Sequence, residues 1–322
     1  MKSLRTTKSR SVRPIAFVFL AAMMVLALSS LSNRRAEANH PVLLEGNCDS
    51  PVPSTTLVSP GTCGDFDGDG RIGTAEDTDG ADRIFGTLNA AIGPGTGAAA
   101  GTGANYNGTI LIVGSGRYAE QVLIGFPTAP FQGGSINPGN VTIEAAPGVI
   151  ANIDAVLQGD PAGGNTTRMD STGIIINYAN STHSDRTVTL RNLGIRNWSQ
   201  GVGIGGFGSV VVDNCRFENN RTAGLRSTSS VNLVITNSQF SNNGHRVAPS
   251  NVNTPNAGDG LWVESANGVR VFNSTFSNNA GAGIRNDTGS ASKVKLFKVG
   301  TFLNGTDIVG PVTISADPNY SN

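Results

Sequence analysis

The sequence predicts an all-β chain wound as a right-handed parallel β-helix of about seven coils, and three observations carry that prediction. The heptads NCRFENN (214–220), NSQFSNN (237–243) and NSTFSNN (273–279) write nearly the same letters three times. Each follows a short apolar/polar alternation, the period of a strand with one buried face. Charged residues make up only 14% of the chain while 42 of its 322 residues are Gly. That departs from an ordinary globule in the direction of many short strands joined by many turns.

The repeat can be read position by position. Four segments align on an Asn at 192, 214, 237 and 273, spaced 22, 23 and 36 residues apart. Ahead of it stands an apolar pair: Val188/Leu190, Val210/Val212, Leu233/Ile235 or Val269/Val271. Three residues beyond it stands Ile195, Phe217, Phe240 or Phe276, and two further on a second Asn at 197, 219, 242 or 278. Each unit closes on a Gly-apolar step ending at Ile204, Leu225, Leu261 or Ile284. The long interval holds an insert of about 13 residues within GHRVAPSNVNTPNAG.

A unit this short cannot hide its own apolar face, but stacked copies bury a continuous interior. Period-two alternation excludes helical repeats, and the Leu framework of leucine-rich repeats is missing. The recurring Asn suits a sharp corner, because Asn tolerates left-handed backbone. Stacked at about 4.8 Å, such amides can also hydrogen-bond in a ladder. Fainter coils are expected at 108–125, 140–154, 293–310 and 311–316. The stretch ADRIFGTLNAAIG (81–93) spaces Ile84, Leu88 and Ile92 as an amphipathic helix suited to capping the N-terminal end. No equally clear C-terminal cap is present.

The helix with TLNAAI, then TILIVGSGRYAEQVLI and VTIEAAPGV, then Asn-cornered coils, resembles the pectate-lyase-like superfamily of secreted β-helix proteins over about residues 81–316. The resemblance specifies a fold and not an activity, since that superfamily holds lyases, esterases, hydrolases and noncatalytic adhesins. GRYAEQV is similar to the opening segment of pectin methylesterases. Their Gln-Asp-Thr and Asp-Phe-Ile-Phe-Gly motifs are absent, which disfavours that activity.

The N-terminus reads as a secretory signal. Lys2, Arg5, Lys8, Arg10 and Arg13 precede an apolar run from Ile15 to Leu31 and a small-x-small site at Ala36-Glu37-Ala38. Residues 1–38 are expected to be removed and the chain exported. The alternative is a retained anchor, for which the 17-residue run is short against the roughly 20 residues of a spanning helix. Seven basic residues and one acidic residue lie in that segment, so 16 basic and 22 acidic remain, a net charge of −6. That excludes the basic footprint of a nucleic-acid binder, and no later stretch is apolar enough for a membrane.

Residues 39–80 form an arm. In an exported chain Cys48 and Cys63, flanking a Pro/Ser/Thr loop, read as a disulfide. Cys215 falls where neighbouring repeats carry Ser238 and Ser274, and so reads as a small buried or corner residue. Between the arm's cysteines and the coils, DFDGDGRIGTAE (65–76) matches the twelve-residue calcium loop of an EF-hand at every position. Asp65, Asp67, Asp69, the Arg71 carbonyl and bidentate Glu76 would give hard Ca²⁺ its oxygens. The upstream VSPGTCG cannot be an entering helix, so the loop resembles a dockerin-like or solitary site with a structural role.

The outer face of the coils carries the residues suited to chemistry. If Leu225, Leu261 and Ile284 point inward, then Arg226, Trp262 and Arg285 point outward in a column, with Thr228, Glu264 and Asp287 two positions on. Trp offers a flat face to a sugar ring and Arg pairs bidentately with uronate carboxylates. The insert with His245 and Arg246 precedes this strand as a candidate groove wall. The resemblance implies that a lyase would use Arg226 or Arg285 as base beside Ca²⁺. A glycosidase would need Glu264 and Asp287 about 5–10 Å apart. No lyase signature is matched, and a self-contained cation–π stack is the competing reading. His40 and His183 read as solvated, and residues 317–322 as a tail. The expected function is binding of, or action on, extracellular acidic polysaccharide, with a structural surface protein or adhesin and an active lyase as the alternatives.

Overall fold

The computed structural model describes residues 42–44, 83–85, 88, 92, 108–125, 139–155, 171–178, 184–229, 231–245 and 258–316, the first two stretches by backbone alone. The chain divides into two units, Met1–Ala38 and Asn39–Asn322, and every described residue lies in the second. Among the described residues no helix is long and apolar enough to cross a membrane.

Three parallel sheets build a solenoid. The second and third hold seven strands each, one per coil, and the first holds ten. The fourth coil shows the path: Ser209–Asp213 in the first sheet, Arg216–Glu218 in the second and Ala223–Thr228 in the third. Alternation decides which residues face inward. In Ser209–Asp213 only Val210 and Val212 are buried, and they pair in register with Val188 and Leu190 before them and Leu233 and Ile235 after. Equivalent side chains therefore stack at one strand spacing, roughly 4.8 Å. Phe217, Phe240 and Phe276 form such a stack inside the second sheet, with ring centroids 4.4 and 4.6 Å apart and planes within 8°.

Corners form where the Asn pattern places them. Asn192, Asn214, Asn237 and Asn273 turn the chain from first to second sheet at φ of 59°, 51°, 51° and 46°. Asn197, Asn219, Asn242 and Asn278 turn it from second to third at 65°, 56°, 57° and 52°. All are left-handed, a region in which Asn is enriched.

The continuous amide ladder belongs to a different residue. Among the corner amides themselves, Asn214 donates to Asn192 at 2.8 Å and Asn278 to Asn242. Instead the Asn following the second corner turns inward. Asn220 donates to Asn243, Asn243 to Asn279 and Asn279 to Asn304, at 3.1, 2.8 and 2.8 Å. Each also donates to a carbonyl of the preceding coil: Ile195, Phe217, Phe240 and Phe276. Buried backbone groups at a corner lack sheet partners, and an inward amide supplies both a donor and an acceptor for them. Facing glycines leave the room. A Cβ on Gly224 would come within 2.7 Å of the Gly260 carbonyl, and one on Gly260 within 2.6 Å of the Gly283 carbonyl.

The insert does not disturb this register. Gly244 and Gly258, at φ of 84° and 103°, close its neck so tightly that a Cβ on Gly244 would lie 2.3 Å from the Gly258 Cα. Sequence reading also ends the second coil at 154, whereas Thr172–Tyr178 supplies its third strand.

At the N-terminal end the helix expected over 81–93 is corrected at its start. Arg83–Phe85 is a strand that pairs with Val42–Leu44, which in turn pairs with Gly108–Ile112. Leu88 and Ile92 are helical and fully buried, but Ile84 is not on that helix. A sheet edge carries unpaired N–H and C=O groups, and added strands satisfy them where a helix cannot. The arm therefore contributes a strand to the first sheet. At the other end Phe302, Leu303 and Ile314 are 50%, 80% and 75% exposed.

Candidate functional site

Strand pairing sets Arg226, Trp262 and Arg285 side by side on the third sheet, as alternation predicts. The Arg226 guanidinium lies 4.2 Å from the Trp262 ring centroid. It donates twice to Glu264 Oε1, at 3.1 and 2.5 Å. The Trp262 indole N–H donates to Asp287 at 2.8 Å. Glu264, Arg226, Trp262 and Asp287 thus form one connected chain on the outer face.

The second column predicted on this face does not form. Register shifts after Ser227, so that Thr228 pairs with Ser265 and Glu264 is the extra residue of a bulge. A bulge re-aims a side chain, and this one turns Glu264 onto Arg226.

Arg285 does not complete a sandwich on Trp262. It reaches Asp259, donating from Nε at 2.6 Å and from Nη2 at 3.3 Å. Asp259 has no solvent exposure and also accepts the Ala282 N–H at 2.6 Å. The hydrogen bond to Asp259, against the cost of burial, raises the Arg285 pKa above its ordinary value. The group is held as a cation rather than prepared as a base. Sequence reading missed Asp259, although the position was marked: it pairs with Ala223 in the coil below, an acid where an Ala stands.

Two other charged clusters are pinned at the corners. Asp154, wholly buried, accepts from Arg196 at 2.8 Å and Asn197 at 2.7 Å, with Arg117 at 3.6 Å. Arg191 bridges Glu144 at 3.0 Å and Asp213 at 3.2 Å. Burial alone would raise the Asp213 carboxyl, but hydrogen bonds from Thr236 and Asn237 and the Arg191 charge outweigh it and hold the group below the usual range. Cys215 is buried as its repeat position implies, and burial pushes its thiol up to about 12. It is no nucleophile.

A polar groove of about 530 Å³ runs along the first corner, crossing Asn192, Asn214 and Asn237. The turn Ala146–Val149 walls it on one side, and Arg216 and Gln239 of the second sheet on the other. No sequence signal singled it out, because its residues come from three coils and a turn.

His245 is exposed, with Nε2 2.9 Å from the Asn278 carbonyl oxygen. Arg246, His40, His183, the calcium-loop residues Asp65, Asp67, Asp69, Arg71 and Glu76, and Cys48 with Cys63 lie outside the described residues. Among those described, no group of three or more His, Cys, Asp and Glu is placed to hold a metal ion.

Residues 172–296 match a family model described as right handed beta helix region. No curated protein and no solved structure matches the chain. The family match and the three parallel sheets agree, and the protein has the fold of a right-handed parallel β-helix.

Proposed function

We propose that this chain is an exported β-helix that binds acidic extracellular polysaccharide without cleaving it. The observation that carries the reading is the clamped indole of Trp262. Arg226 at 4.2 Å and Asp287 at 2.8 Å hold it on the outer face, half-exposed. A fixed aromatic plane meets a sugar ring at little cost in side-chain entropy. The likeness to the pectate-lyase-like superfamily supports the polysaccharide class. The pairing of Arg285 with Asp259 weighs against a lyase, since a paired cation is a poor base. Residues 1–38 act as the export signal in this reading, and residues 65–76 hold a structural Ca²⁺.

The test uses the chain from residue 39 onward, purified with Ca²⁺, and measures its depletion onto polygalacturonate and onto a neutral glucan. Unsaturated ends and reducing ends are followed in the same samples. Selective depletion without new ends, weakened at least tenfold in Trp262→Ala, is the expected result; new ends would make the chain an enzyme and overturn the reading. Arg285→Ala is unsuitable as a binding variant because it strips the partner of buried Asp259.

A second reading, a stiff structural rod or adhesin, is favoured by one observation: Arg226 and Arg285 are both paired within the sheet. It expects no depletion on any glycan and only a small stability loss in Trp262→Ala.

A further inference from the structure

The groove along the first corner differs from the Trp262 face in one respect. Its cation and two of its amide oxygens are not spent within the protein. Arg216 and Gln239 are exposed, and among the described residues their side chains make no hydrogen bond or ion pair. The Asn214 and Asn237 amide nitrogens are engaged, donating to Asn192 and Asp213 at 2.8 and 3.0 Å. Those bonds fix the two amides so that their carbonyl oxygens, which accept no bond among the described residues, are left as acceptors. Asp213 is tied to Arg191 and Thr236, and Glu218, two residues along the strand of Arg216 and on the same face, makes no ion pair with it. Pro147 and Val149 bring apolar surface to the opposite wall.

We infer that this groove binds a short anionic oligosaccharide lying along the solenoid axis, with its carboxylate or sulfate on Arg216. Three features match that ligand class. The groove crosses three coils, so its acceptors recur at one strand spacing and it spans roughly 10 Å, enough for two to three sugar residues. Fixed amide oxygens and the Gln239 amide suit hydroxyls that both donate and accept. A guanidinium that makes no ion pair among the described residues, beside apolar C–H surface, selects an anionic sugar over a neutral one. The inference shares the ligand class of the proposed function but names a different surface, so each can fail alone.

Trigalacturonate and maltotriose are titrated into the chain from residue 39 onward at low and physiological salt, using calorimetry. Wild type is expected to bind the uronate trimer at least tenfold more tightly than maltotriose, with affinity falling as salt rises. Arg216→Ala should reduce trimer affinity at least tenfold, and Gln239→Ala several-fold, with melting temperatures unchanged. Arg270→Ala, which removes an exposed arginine of the first sheet, should leave binding unaltered. Equal affinity in wild type and Arg216→Ala overturns the groove assignment. So does trimer binding lost only in Trp262→Ala, which would leave the proposed function standing on the outer face. Absence of trimer binding at millimolar concentration also overturns the groove, while polymer depletion answers separately for the Trp262 reading.

Discussion

The indole N–H of Trp198 donates to the carbonyl of Ile153 at 3.0 Å, in the place that an asparagine amide holds in each of the next four coils. Its backbone N–H meets Asn220 Oδ1 at 3.2 Å, as Asn220 N–H meets Asn243. Trp198, fully buried, thus begins the ladder. Gly173 makes that possible, since a Cβ there would lie 2.7 Å from the indole.

Asn243→Ala is therefore expected to cost about 3–4 kcal/mol, several buried hydrogen bonds being lost and the Phe217 carbonyl left without a partner. Urea unfolding followed by far-ultraviolet circular dichroism measures it. A loss under about 1 kcal/mol would mean that the ladder is decoration rather than structure.

The seventh coil departs from the Asn rule. Lys298 and Leu303 hold its corners at φ of 49° and 56°, and Leu303 is 80% exposed. A left-handed Leu is strained by about 1–2 kcal/mol, and its side chain gains little from packing. Leu303→Asn should raise stability by about 1 kcal/mol, visible as a higher urea midpoint with an unchanged slope.

Asp213 sets an acid limit on the corner it joins. Its folded pKa lies below the ordinary value, so its contribution is complete above the unfolded Asp pKa of about 4. It is lost as pH falls through the lower folded value. Wild type should thus lose stability relative to Asp213→Asn on moving from pH 5 to pH 2. Parallel stability curves for the two proteins would exclude this role.

If residues 65–76 hold Ca²⁺, the ion stabilises the folded chain by mass action. At a hundredfold excess over Kd the gain is about 2.7 kcal/mol, so chelation should lower the melting temperature and added Ca²⁺ restore it. Asp65→Ala with Glu76→Gln should remove the response. An unaltered response in that double variant would reject the loop as the site.

Much of the fold was legible because it repeats. Asn192, Asn214, Asn237 and Asn273 mark the same corner in successive coils, and a feature written four times stands out against chance. The outward column of Arg226, Trp262 and Arg285 was legible for the same reason, since alternation is a local rule. The partners of that column were not. Glu264 reaches Arg226 through a bulge, and Arg285 turns to Asp259 from the mouth of the insert. Neither a bulge nor an insert mouth repeats, so neither leaves a periodic trace. The N-terminal strands at Val42–Leu44 and Arg83–Phe85 escaped notice because each is three residues long and gains its partners only at the edge of the solenoid.

Local residues alone write the coil: its period, its left-handed corners and the inward-facing apolar pairs of its strands. These follow from backbone sterics and a two-residue alternation, which act within a few residues of chain. Contacts between coils settle which asparagine carries the ladder, how the Trp262 face is neutralised and where an open groove remains. Those depend on what stands one coil above and below, a distance of 22 to 45 residues along the chain in the ladder contacts. Stacking turns that separation into a single strand spacing.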